Sequence, residues 1–135
     1  MKQWLIDTNI VSEMMRRKPN TKVEAWCTAI DSFYISTITI DEITYGLELK
    51  SLKAKAKWFQ KFLSSRCTIL PITEPIAFRA GSTRSQLASK GIVRSQADML
   101  IAATAWSHGL ILATRNTRDF EGTGIPIFNP FESGS

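Results

Sequence analysis

The sequence predicts an α/β fold, a sandwich in which a mainly parallel central sheet is covered by helices on both faces. Three observations carry this reading. Short apolar runs of strand length alternate with segments of helix length, the order that parallel strands linked by crossover helices require. One helical segment, 99–106, is almost wholly apolar, which suits a helix at the centre of a layered core. The chain has 135 residues, the size of one domain, and at that length folding removes roughly two-thirds of the unfolded surface from water.

Residues 4–6, Trp-Leu-Ile, read as a short buried strand, and Asp7, Thr8 and Asn9 supply capping side chains for a helix over 8–17. Lys18-Pro19-Asn20 breaks that helix. A second helix is predicted over 21–30, a strand over 33–36, and a helix beginning near Thr39. Between 51 and 66 the residues Leu52, Trp58, Phe59, Phe62 and Leu63 gather on one side of a long two-faced helix. Strand 68–72 follows, then a helix over 74–90 opened by Glu74-Pro75 and stopped at Gly91. Ser95 caps the apolar helix, which ends at His108-Gly109; a strand over 110–114, a polar loop over 115–119 and a last short strand over 125–128 complete the chain. There is neither repeat nor linker, so residues 1–132 are expected to form one domain, with 133–135 as a tail.

Composition narrows the function. No apolar run approaches the roughly 20 residues of a membrane span, and the N-terminus shows neither the core nor the cleavage site of a signal peptide, so the expected compartment is the cytoplasm. Cys27 and Cys67 are distant, follow no metal or redox spacing and sit among apolar residues, as reduced buried thiols do. His108 is the one histidine, which argues against His-rich metal sites and a Ser-His-Asp triad. The net charge of +5 points to an anionic partner such as nucleic acid.

The acids are the informative residues. Asp7 directly follows an apolar strand, where parallel α/β sheets place their ligands; its alternative is a helix cap. Glu42 lies three residues after Thr39 and Asp98 three after Ser95, the spacing of capping boxes, yet both also fall in first turns that follow the same sheet edge. Asp119 leaves that edge after strand 110–114; its alternative is a loop aspartate satisfying backbone amides. Two carboxylates about 5 Å apart repel by roughly 3 kcal/mol at an effective dielectric near 20, so a cluster of such groups requires protonation or a cation. An all-oxygen site suits Mg²⁺ or Mn²⁺. Removing these four charges from the net +5 leaves +9 on the remainder, a negative hole in a positive surface.

These residues stand in a pattern that resembles the PIN-domain ribonucleases of the VapC toxin family, the toxin half of type II toxin-antitoxin pairs. Its carriers are Leu5-Ile6-Asp7-Thr8-Asn9, Glu42 with Gly46 four residues on, Ala97-Asp98 leading into 101–105, and Thr114-Arg115-Asn116 with Asp119-Phe120. The resemblance covers nearly the whole chain and implies a PIN-like α/β/α sandwich. It further implies that Asp7, Glu42 and Asp98 bind metal, with Asp119 as a fourth ligand direct or through water, and that Thr114, Asn116 and Asn9 support them. The implied activity is endoribonuclease cleavage with Mg²⁺ or Mn²⁺, inhibiting translation and growth. The implied partners are an RNA substrate, a cognate VapB-type antitoxin seated near the active site, a second copy in a homodimer, and operator DNA bound together with the antitoxin.

Lys50, Lys53, Lys57 and Lys61 recur at spacings of three and four, as a phosphate-tracking stripe or as a solvated helix face; Arg115 adjoins the acids and is a further RNA-binding candidate, with Arg79, Arg84 and Arg94 beyond it. Trp26, Trp58 and Trp106 fit partner surfaces or core packing. Two other functions compete. A phosphatase using Asp7 as nucleophile usually needs an acid where Asn9 stands, and a non-catalytic RNA-binding PIN-like module arises when the acids are lost, whereas all four are present.

Overall fold

The computed structural model describes residues 2–132, so the reading of 133–135 as a tail lies outside the described residues. In chain order the elements are β1 (Trp4–Ile6), α1 (Thr8–Met14), α2 (Thr21–Ala29), β2 (Phe33–Ser36), α3 (Thr37–Leu49), α4 (Lys53–Arg66), β3 (Cys67–Leu70), α5 (Glu74–Ser89), α6 (Gln96–His108), β4 (Ile111–Ala113), a 3-10 turn (Thr117–Phe120) and β5 (Ile127–Phe128). The sheet order is β3-β2-β1-β4-β5, and every pairing is parallel. The chain builds outward from β1 to β3, then returns to the other side of β1 for β4. The β1–β4 boundary is therefore the switch point, where diverging crossovers leave a crevice beyond the strand ends.

Alternation along β1 divides the core. Leu5 faces a cluster formed with Ile76 and Leu87 of α5, Met99, Ile101 and Ala105 of α6, and Leu112 and Phe120. Trp4 and Ile6 face the other layer with Ile10 and Val11 of α1, Val23 of α2, Ile43 of α3, and Phe59 and Phe62 of α4. Helices on both faces thus bury a sheet whose strands carry apolar side chains on either side, as parallel sheets require.

Local chemistry explains where the boundaries differ from those expected. Helix α1 stops at Met14, before the expected 17, because the buried Glu13 side chain accepts the backbone N–H of Asn20 at 2.7 Å and draws the chain back over the helix end. Helix α3 begins at Thr37, with Ser36 as its cap, so Thr39 is no cap: it is buried within the first turn. Strand β3 ends at Leu70 because Pro71 offers no N–H to the ladder. The polar loop expected over 115–119 contains the 3-10 turn, and β5 is shorter than expected. Met99 and 101–105 of α6 are buried as predicted, whereas Trp106 is 52% exposed beneath the Arg79 guanidinium, 3.4 Å from its ring centroid. Helix α6 ends at Gly109 with φ 64°, a left-handed conformation that glycine adopts without a Cβ clash. Among the described residues no helix is long and apolar enough to cross a membrane.

Candidate active site

Three chain segments leave the sheet at its C-terminal edge and meet in one cleft. Asp7 follows β1, and its backbone N–H still pairs with the carbonyl of Ala113 at 3.0 Å. Its carboxylate also caps α1, Oδ1 accepting from the N–H of Thr8 at 2.8 Å, so capping and site placement are two uses of one side chain. The other oxygen, Oδ2, accepts from the Thr114 hydroxyl at 2.7 Å and from the Asn9 amide at 3.2 Å. Thr114 follows β4 and is fully buried; its hydroxyl oxygen accepts in turn from Asn9 Nδ2 at 3.3 Å and from the backbone N–H of Asn116 at 3.1 Å. Asn9 closes the arrangement by accepting the Arg115 N–H at 2.9 Å, tying the segment after β1 to that after β4.

Glu42 enters from α3, exposed, with Oε1 accepting the Thr8 hydroxyl at 2.5 Å. Asp98 enters from the first turn of α6, where its N–H donates to the Ser95 hydroxyl at 3.0 Å; that half of the expected capping box is formed. A cavity of about 500 Å³ brings Asp7, Glu42 and Asp98 together with Asn9, Asn116 and Arg115. Asp119 lies exposed on the 3-10 turn, outside that lining but near enough to Asp98 to act on its charge.

Charge is uncompensated here. Burial, with the Asp98 and Glu42 carboxylates adding to it, pushes Asp7 up to about 6, against the lowering effect of its Thr114 and Thr8 hydrogen bonds. Asp98 is raised as well, mainly by burial, then by Asp119 and Glu42, while Ser95 and Arg94 oppose the rise. Among the described residues the single ion pair joins Arg16 to Glu13, and no basic side chain pairs with any of the four acids. Nor do three carboxylates there stand close enough together to ligate one ion directly. The donor set fits a hard divalent ion that takes one or two carboxylates directly and the rest through water, the habit of Mg²⁺.

The family model described as PIN domain matches residues 4–125. The VapC ribonuclease Y4jK of Sinorhizobium fredii is 35% identical, covering 95% of this chain and 97% of its own. The chain belongs to the PIN-domain family, among the VapC toxins. The crystal structure of FitAcB from Neisseria gonorrhoeae matches this PIN domain at 34% identity and a TM-score of 0.83, covering 97% of it and 100% of the solved chain. That of DNA-bound VapBC from Salmonella typhimurium matches at 32% and 0.82, covering 96% and 99%.

Other residues complete the surroundings of the site. Thr8, read from sequence as a cap, holds Glu42 across 34 positions. Lys50 lies at the C-terminal end of α3, while Lys53, Lys57 and Lys61 are exposed along α4. Lys55, outside the predicted stripe, shares with Lys50 a smaller cavity beside the acids. Trp26 packs edge-on against Trp4 at 5.1 Å, and Trp58 stacks on Phe62 at 4.9 Å. Cys27 and Cys67 are free thiols, each pushed up to about 12 by burial, and thus inert near neutral pH.

Proposed function

We propose that this PIN domain is a Mg²⁺- or Mn²⁺-dependent endoribonuclease, the toxin of a VapBC-type pair, whose cutting of RNA arrests translation and growth. The observation that carries the reading is that Asp7, Glu42 and Asp98 line one cavity at the switch point of the sheet, with no basic side chain paired to them among the described residues. Asp7 and Asp98 would hold the ion, with Glu42 and Asp119 acting through water. Bound there, the ion supplies a polarised water and neutralises charge building on phosphorus.

The chain's own residues supply the rest. Thr114 and Asn9 fix the rotamer of Asp7 through its Oδ2, and Asn116 is anchored on the Thr114 oxygen. Arg115 and Arg16 line the acid cavity and would draw a phosphodiester towards it. In-line attack by water on phosphorus, with the 3′-oxygen as leaving group, would leave a 5′-phosphate and a 3′-hydroxyl. A phosphatase with Asp7 as nucleophile is less well supported, because the Asn9 amide donates to that carboxylate where an acid is needed.

The Salmonella relative is a VapBC complex bound to DNA. By that likeness the present chain would pair with a VapB-type antitoxin, as a homodimer, on operator DNA. The test is incubation with total cellular RNA in Mg²⁺, Mn²⁺ or EDTA, beside Asp7→Asn, with sequencing of new ends. Discrete metal-dependent 5′-phosphate ends, absent from the variant, are expected. Ends that persist in EDTA or in Asp7→Asn would overturn the assignment, and RNA bound but never cut would point to a non-catalytic module.

A further inference from the structure

A second cavity of about 210 Å³ opens between α1, α3 and the turn that leads into α4, and it shares Thr8, Ser12 and Glu42 with the acid cavity. The two are therefore adjacent. Met15, Ile43, Leu47 and Leu52 give the smaller cavity an apolar floor, and Lys50 and Lys55 stand over it.

Two observations indicate that this space serves an occupant arriving from the acid site. Gly46 lies within α3 and lines the cavity, yet a Cβ built there would meet no atom within 4 Å, and its φ is not left-handed. Neither packing nor backbone geometry calls for glycine, which weakens a helix relative to alanine. The room it leaves belongs to the cavity. The second observation is charge: among the described residues neither Lys50 nor Lys55 has a carboxylate within ion-pair distance, and Lys55 also lines a further cavity with Arg16, Arg17 and Lys18 at the end of α1. Arg16 returns that basic surface to the acid cavity.

We propose that the smaller cavity is a nucleotide subsite of the RNA-cleaving centre, taking the nucleotide next to the cut phosphodiester, with its base on the apolar floor over Gly46 and its phosphate against Lys50 and Lys55. The assignment rests on the ribonuclease reading of the acid site. A nucleotide is apolar on its base faces and anionic on its backbone, which is the division this cavity presents. A merely solvated basic face has no floor. Lys57 and Lys61, exposed on α4 and outside the cavity, provide the internal control.

The experiment is fluorescence anisotropy of a labelled single-stranded RNA in EDTA, where it is not consumed, with thermal melts of every variant. Lys50→Ala/Lys55→Ala is expected to weaken binding about tenfold or more and to flatten the dependence of log K on log salt by about 0.7, the value for one lost phosphate contact on a single strand. Lys57→Ala/Lys61→Ala is expected to change affinity less than about twofold. Gly46→Ala is expected to raise the melting temperature while weakening RNA binding several-fold, whereas a purely structural glycine would give the first effect alone. Equal losses from the two lysine pairs, a Gly46→Ala protein that binds like the parent, or an acidic peptide bound there in place of RNA overturns the subsite. Failure of the parent to cut RNA with either metal removes the nuclease reading separately, because the binding pattern is read without metal.

Discussion

Asp7 and Glu13 stand at opposite ends of α1, buried to nearly the same depth at 4% and 5% exposure, and their surroundings differ in kind. Glu13 accepts from the Arg16 guanidinium, 3.4 Å away, and from the Asn20 N–H at 2.7 Å, so its charge is paired within the fold. Asp7 receives only neutral donors and faces Glu42 and Asp98, which drive it further towards protonation. A buried charge costs several kcal/mol unless paired, so a fold that leaves one unpaired beside other acids forgoes stability there. On the proposed function, α1 thus joins a carboxylate that serves the fold to one that serves a ligand.

The largest expected effect comes from removing the charge at the unpaired end. Asp7→Asn should lower metal-dependent cleavage by about 10³-fold or more, the scale of losing a principal electrostatic group from such a centre. In EDTA the same variant should be more stable at pH 8. The sign follows from a folded-state value near 6 against 3.8: the native state holds the proton more tightly, so its stabilisation is complete below about pH 4 and is lost as pH rises through about 6. A shift of that size corresponds to at most about 3 kcal/mol, and rearranged hydrogen bonds should leave about 1–2. Melting curves from pH 3.5 to 8 would show parent and variant together at the acid end and separating above it. Parallel curves would mean that Asp7 is compensated as well as Glu13 is.

Much of this contrast is legible in the sequence, and the remainder depends on contacts between distant segments. A strand of three apolar residues followed by Asp-Thr-Asn places Asp7 at a sheet edge, and Ser95 with Asp98 marks a true helix start. The start of α3 is hidden because β2 passes into it without a loop; Thr39, the hydroxyl three before Glu42, imitates a cap while lying buried with its oxygen unpartnered. The role of Thr8 depends on Glu42 returning from α3. Lys55 is invisible to a reading of one helical face, because the turn at Ser51, with φ 54°, brings the start of α4 back towards α1. The pairing of Glu13 with the Asn20 backbone has no sequence signature at all.

Thr114→Val tests the residues that support Asp7. The side chain is fully buried, its hydroxyl donates to Asp7, and its oxygen receives Asn9 and the backbone of Asn116. Valine keeps the shape and deletes all three bonds. The Mn²⁺ concentration for half-maximal cleavage should rise about 10- to 100-fold, the usual loss when a partner of a metal-binding side chain is removed, and excess Mn²⁺ should restore much of the rate. An unchanged metal titration would place Thr114 in the fold's service alone.

The smallest effect is the most discriminating, because it applies the same chemistry at the other end of the helix. Glu13→Gln replaces a carboxylate by an amide, as Asp7→Asn does, but here the charge has a cation and a backbone donor. The amide oxygen can keep the Asn20 bond while the Arg16 interaction loses its ionic part. Since Arg16 is largely exposed, with a side chain 63% accessible, solvent already screens much of the pair. A loss of about 1 kcal/mol is expected, lowering the melting temperature by about 4 °C for a domain of this size. Cleavage per folded molecule should fall less than about threefold, well short of the change at Asp7. One substitution type would then stabilise the metal-free protein at one end of α1 and destabilise it at the other. Only opposite signs separate a ligand-serving acid from a structural one; equal signs would show that depth of burial, and not the partner of the charge, governs both.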